Sequence, residues 1–350
     1  MIIRQAESSD AAGIAALARR CPQGVELAVR FVPKGDPFAR SRLREKWAVF
    51  VAEEEGKIVG SIGCAIENTM LAGGVRRQAY LYGAQVDGQL RRRGVGQRLL
   101  DAAERYAKDC GANFAKGFVA SDNVPSLRLC QRAGYHALSE CRIYSVFTFQ
   151  RQRVSNQVYV RTLRREDLPE VARLLNAAYE GLDFYMPTDV SALERQIARV
   201  PHVGFDEVFV AERQGRITAC VGYWDYSKLV RIEIAGMALK YRLGKLILDA
   251  LGRVVPLPRV PGPGEELRAY NAVLAGFALP GDMVEVLKHV CNVAYENRMH
   301  VLNVPIGSDH LEPIARRFLH GTVRLRIVMK ALTEEAVPEL RKVYVGATDF

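Results

Sequence analysis

The sequence predicts an α/β (α+β) protein built from two units of one fold in tandem. Three observations carry this. The chain has 350 residues, 49% hydrophobic and 25% charged, which suits two globular domains of roughly 150 residues each. Apolar, β-like runs are followed by runs of helical periodicity. The chain also repeats itself. Phe50-Val-Ala-Glu-Glu-Glu-Gly-Lys-Ile-Val-Gly-Ser-Ile-Gly63 aligns without a gap on Phe209-Val-Ala-Glu-Arg-Gln-Gly-Arg-Ile-Thr-Ala-Cys-Val-Gly222.

Each aligned segment reads as strand, glycine turn, strand. Upstream, Ile3-Arg4 and Asp10 match Val160-Arg161 and Asp167. In both copies a short strand leads to an acidic helix start. Ile14, Leu17 and Ala18 give the first helix its apolar spacing; Val171, Leu174 and Leu175 give the second. Pro169 suits the first turn of that second helix. The polar run Gln150-Arg-Gln-Arg-Val-Ser-Asn-Gln157 marks the boundary, giving a first unit at 1–149, a linker at 150–157 and a second unit at 158–350.

The copies diverge downstream. The first runs through a strand, Ala79 to Val86, into Arg91-Arg92-Arg93-Gly94-Val95-Gly96 and a helical run from Gln97 to Cys110. The second inserts Lys240 to Glu266, whose prolines predict a non-regular excursion. A strand at Leu267 to Phe277 follows, then Ala278-Leu-Pro-Gly-Asp282 and a helix near Met283. That turn has one glycine and no arginine.

The net charge of +10 points to an anionic partner. The basic stretches Arg40 to Lys46 and Arg91 to Arg93 lack the aromatic interleaving of a single-strand binder, so nucleic acid is not expected. No apolar run of about eighteen residues or more occurs, and neither a membrane partner nor a signal peptide is expected. Seven scattered cysteines form no CxxC pair, which fits free thiols in a reducing cytoplasm. No histidine stands at zinc-ligand spacing to a cysteine, so no metal is expected.

Strand, basic Gly-x-Gly turn and helix form a pyrophosphate cradle. Glycine lets a ligand approach the backbone, and free N–H groups at a helix start favour phosphate. A Walker loop needs Gly-Lys-Ser/Thr, but Gln97 follows Gly96. A dinucleotide fingerprint needs a small residue where Leu99 stands.

In this context Arg91-x-x-Gly94-x-Gly96 resembles the Gln/Arg-x-x-Gly-x-Gly/Ala signature of the GCN5-related N-acetyltransferase (GNAT) superfamily. A second element of that superfamily is matched by Asn123-Val-Pro-Ser126 through Cys130 to Gly134-Tyr135, after a strand at Phe114 to Ala120. The resemblance implies two tandem GNAT folds, each a mixed, mostly antiparallel central sheet flanked by helices, the second a degenerate copy. It also implies acetyl-CoA as co-substrate. The pantetheine would lie along Gln85 and Val86, and the pyrophosphate would take N–H bonds from Arg92, Arg93, Gly94, Val95, Gly96, Gln97 and Arg98, beside Arg91. Asn123 would bond the pantetheine or the adenylate. The Val86 N–H would hold the charge that develops on the thioester oxygen.

The activity so implied is transfer of an acetyl group to a primary amine, carried by a small molecule or a peptide, by direct attack on the thioester. The alternative is a non-catalytic acyl-CoA-binding protein. Many relatives place an acidic Tyr seven residues after the Asn; here that position is Cys130, a weaker candidate for protonating the leaving thiolate. The strand before the cradle has no carboxylate, leaving Glu67, Asp87 and Asp122, or water, as the base. Tyr80 and Tyr82 alternate on one strand face and are candidates to line the acceptor site. Arg40, Arg42 and Arg44 lie in the segment where this family varies its acceptor pocket; they read as a solvated loop and helix face or, alternatively, as a site for a carboxylate-bearing acceptor.

Overall fold

A computed structural model describes residues 1–307, 310–340 and 342–349. The first half runs β1 (Ile2–Gln5), α1 (Ala11–Arg20), β2 (Leu27–Pro33), β3 (Lys46–Glu54), β4 (Lys57–Leu71), β5 (Gly74–Val86), α2 (Val95–Asp109), β6 (Phe114–Ala120), α3 (Val124–Arg132) and β7 (His136–Phe147). The second runs β8 (Tyr159–Thr162), α4 (Leu168–Tyr179), α5 (Val190–Arg199), β9 (Val208–Arg213), β10 (Arg216–Trp224), β11 (Val230–Met237), α6 (Leu239–Leu251), β12 (Glu266–Leu267), β13 (Ala269–Phe277), α7 (Pro280–Glu296), β14 (Val301–Ile306), α8 (Glu312–Ala315) and β15 (His320–Ala331).

The repeat is visible in side chains. Arg4 clamps Asp10 at 2.7 Å and reaches Glu53 at 2.9 Å. Arg161 does the same with Asp167 at 2.6 Å and Glu212 at 2.9 Å. Both hairpins turn on two residues of positive φ, Glu55-Gly56 and Gln214-Gly215, the backbone that a tight two-residue hairpin requires. Helix α2 buries Val95, Leu99, Leu100, Ala103 and Ala107 on one face. These pack on Ile62, Cys64, Ala79 and Leu81 of the sheet.

The two expected sheets are fused into one of twelve strands, ordered β1-β3-β4-β5-β6-β15-β7-β14-β13-β10-β9-β8. Each half ends in a strand that completes the other: β15 pairs with β6 from Leu325–Ala120 to Ala331–Phe114, and β7 pairs with β14 from Val301–Phe147 to Ile306–Arg142. β7 and β15 pair antiparallel at the centre. A second, three-stranded sheet, β12-β11-β2, also joins the halves. The segment 240–266 corrects the expectation of a non-regular excursion, because its first half is the helix α6. The prolines that suggested irregularity all lie beyond it, from Pro256 onward.

In both halves one parallel strand pair opens into a wedge. β5 pairs with β6 only from Gln78–Phe114 to Leu81–Gly117, although β5 continues to Val86. β13 pairs with β14 only from Ala269–Val301 to Asn271–Asn303, although β13 continues to Phe277. Each opened strand carries a bulge with positive φ just past the last pair, at Gly83 and at Leu274.

Candidate active site

The first wedge ends at the arginine-rich turn. Asp87 N–H donates to the Val59 carbonyl at 2.9 Å. Residue pairs alternate between bonded and unbonded in an antiparallel ladder, so the Val86 amide faces the open edge of β5. The buried Gln85 Oε1 has no hydrogen-bond partner among the described residues. Gly94 caps α2 with φ +78° and open space where a Cβ would stand. The first intrahelical bond is Arg98 N–H to the Gly94 carbonyl, 3.1 Å, leaving the amides of Val95, Gly96 and Gln97 for an anion. Arg91, Arg92 and Arg93 stand exposed around them. This donor set fits a pyrophosphate on a coenzyme laid along Gln85 and Val86.

Three expectations change in detail. Arg98 is committed twice, its amide to Gly94 and its guanidinium to the Met1 carbonyl at 3.2 Å, so it offers little to a ligand. Gly96 serves packing, since a Cβ there would come within 3.0 Å of Leu129 on α3. Asn123 caps α3 through Oδ1, accepting from Ser126 N–H at 3.3 Å, which leaves its amide nitrogen uncommitted among the described residues.

None of the proposed bases stands free. Glu67 lies between the Lys116 ammonium at 2.9 Å and the Arg44 guanidinium at 2.8 Å. Lys116 and Arg44 hold the Glu67 carboxyl below the usual range against the opposing cost of burial. This corrects the expectation of a base at the cleft mouth, because a carboxylate so stabilised is a poor proton acceptor. Asp87 is bound by Arg20 at 2.9 Å. Asp122 accepts from the amides of Val25 and Glu26. The Cys130 thiol is pushed up to about 11 by burial and packs against the core under α2. It is a weaker acid than the thiol it would have to protonate, with a pKa of about 8.5; the structure therefore argues against its acid role.

Tyr80 and Tyr82 stack at 5.2 Å between ring centres, and Tyr80 meets Phe118 of β6 at 5.8 Å across the wedge. Tyr82 donates to Ser41 Oγ at 2.7 Å. Thr348 and Asp349 reach this aromatic floor. Arg40 donates to Tyr80 Oη and to the Asp349 carbonyl, the Tyr80 hydroxyl donates to that same carbonyl, and Arg44 pairs with the Asp349 carboxylate at 2.7 Å.

The second wedge is built differently. Residues 344–348 line it together with Ala272–Ala275 and Val304, leaving about 50 Å³ of free space. Its helix α7 starts on Pro280, which has no N–H. The first turn carries buried Asp282, held by Arg213 at 2.7 Å and Thr218 at 2.6 Å. The start of α7 thus carries its own buried carboxylate and has no arginine turn before it.

Residues 21–135, which hold the first wedge and its turn, match the acetyltransferase (GNAT) family. They form a GNAT domain. An acetyl transferase, GW6a, from Oryza sativa subsp. japonica is 27% identical over 290 residues, or 75% of this chain. The chain spans 64% of that relative's length. Among solved structures, Saccharomyces cerevisiae N-myristoyltransferase with bound myristoyl-CoA superposes with a TM-score of 0.65 at 14% identity, covering 94% of this chain and 78% of that one. A GCN5-related N-acetyltransferase from Sphaerobacter thermophilus gives 0.61 at 13% identity, covering 97% and 98%.

Within the GNAT domain the structure brings together Gln85, Val86, Arg91 to Gln97 and the α3 start at Asn123. It sets Glu67 and Cys130 apart from any proton-transfer geometry. Sequence reading missed Lys116, which is 2% exposed and sits opposite Tyr80 in the β5–β6 register. The signal was present, since Lys116 is the one charged residue in the apolar run Phe114 to Ala120.

Proposed function

We propose that this chain transfers an acetyl group from acetyl-CoA to a primary amine, with the chemistry confined to the first wedge. One observation carries the reading: an open wedge, a free helix start and three arginines coincide in the first half only. Bound acetyl-CoA supplies an activated thioester there. Val86 N–H, turned to the open edge, is the donor aimed at its carbonyl oxygen, a contact worth roughly 3 kcal/mol in a transition state. Arg91 to Gln97 bind and orient the coenzyme. Tyr80 and Phe118 close the wedge floor, which supports a short acyl group over a long one.

For the acceptor amine to enter over Arg40, Ser41, Tyr80 and Tyr82, residues 348–349, held there by Arg40, Arg44 and Tyr80, must move aside. With Glu67, Asp87 and Asp122 all held as ion pairs or amide acceptors, the amine proton leaves through water. Thiolate release needs no protein acid at neutral pH. We further propose that the second unit, residues 158–350, serves as a degenerate scaffold that supplies β15 and the 346–349 segment. Thiol release from acetyl-CoA, measured against a panel of amines, amino acids and peptides, tests the reading. Amine-dependent thiol release with an acetylated product by mass spectrometry is expected. Tight coenzyme binding with no turnover on any amine would instead support the non-catalytic alternative.

A further inference from the structure

Helix α6 has no buried residue. Its exposed aliphatic side chains are Leu239, Leu243, Leu246, Ile247 and Leu251, with Val254 in the turn beyond, and they are 70, 52, 64, 60, 52 and 85% exposed. Their spacing of three, four and seven places them on one stripe along the helix. The opposite side is anchored. Ala238 N–H donates to the Glu26 carbonyl at 2.8 Å, Tyr241 Oη reaches the Glu26 carboxylate at 3.1 Å, and Lys245 pairs with Asp249 at 2.7 Å beside Gly262. The helix is therefore mounted on the fold with its leucines facing outward.

Soluble surfaces rarely expose a contiguous apolar stripe of this kind without a partner. Its rim identifies the partner. Helical spacing puts Arg242 and Arg253 along one flank, while Lys240 is neutralised by an ion pair with Glu26. Arg242 and Arg253 take part in no ion pair among the described residues, and the chain carries +10 overall. A second copy of the chain laid on the stripe would bring cation against cation. An anionic bilayer surface complements both features, taking the leucines among its acyl chains and the arginines at its headgroups. Among the described residues no helix is long and apolar enough to cross a membrane, and α6, with thirteen residues, is too short to span one.

We propose that α6 docks this protein on anionic membrane surfaces. This revises the sequence-based expectation of no membrane partner. The test is sedimentation of the full-length protein with vesicles of phosphatidylcholine alone or mixed with phosphatidylglycerol. Binding to the mixed vesicles should exceed binding to phosphatidylcholine at least about tenfold and weaken with added salt. Leu246→Glu/Ile247→Glu should lower it at least about tenfold. Arg242→Glu/Arg253→Glu, which keeps the leucines, should do likewise. These side chains are exposed, so an unchanged thermal midpoint verifies the fold of each variant. Equal binding to neutral vesicles, binding untouched by either double variant, or no binding at all overturns the proposal. A dimer that Leu246→Glu/Ile247→Glu dissolves, with no vesicle binding, assigns the stripe to a second copy instead.

Discussion

Lys116 and Glu67 are buried together, and Lys116 has no other acidic partner among the described residues. Removing one partner of such a pair leaves an uncompensated charge, at a cost of about 3–5 kcal/mol. Glu67→Gln should therefore lower stability by that amount, read from urea unfolding of the whole chain, while altering any pH–rate profile little. The pH dependence has a definite sign. The folded carboxyl of Glu67 titrates below its ordinary value of 4.5, so its stabilisation is complete above that value and fades as pH falls through the lowered one. The Glu67-linked part of the acid destabilisation should shrink in Lys116→Met, read from urea unfolding at a series of pH values, because the carboxyl then titrates nearer its ordinary value. Cys130→Ala makes a contrasting prediction. With the thiol at about 11, kcat should stay within about twofold of the parent; a drop of a hundredfold would restore the acid role. At this scale the cradle was legible, because Arg91 to Gly96 act through backbone and charge that sequence displays directly. The proton-transfer end was not, because Glu67 lost its role to two cations, Arg44 and Lys116, on other elements.

In the proposed function, the element that decides coenzyme binding is the start of α2. Gly94 holds φ +78° there, a backbone that costs an L side chain roughly 1–2 kcal/mol. Gly94→Ala should weaken acetyl-CoA binding about tenfold and lower the melting temperature by only a few degrees, and isothermal titration reads both the affinity and its salt dependence. Arg91→Ala/Arg92→Ala/Arg93→Ala should lower affinity and flatten that salt dependence. Most elements were legible: the hairpins at Glu55-Gly56 and Gln214-Gly215, the helix at Val95–Asp109 and the strand at Phe114–Ala120 follow from turn residues and periodicity. Helix α6 was not, because its leucine spacing is that of a buried face, and the prolines after it dominated the reading of the whole insert.

Across the whole molecule, the exchange of β7 and β15 binds the halves into one sheet. Sequence does not reveal the exchange, because either last strand presents a period-two pattern that satisfies either neighbour. It predicts that residues 1–150 alone leave β6 with a bare edge and β7 without both partners. That fragment should be insoluble or lack cooperative unfolding by circular dichroism, and co-expression with residues 151–350 should restore a single folded complex. A soluble, cooperatively unfolding fragment would show that the exchange is dispensable. The same sheet presents two wedges, one with a free helix start and the other filled by residues 344–348 behind Asp282. Calorimetric titration of the full chain with acetyl-CoA measures how many of them accept the coenzyme. The account predicts one site per chain, abolished or strongly weakened by Gly94→Ala combined with the triple arginine variant. Two equivalent sites, or none, would contradict it.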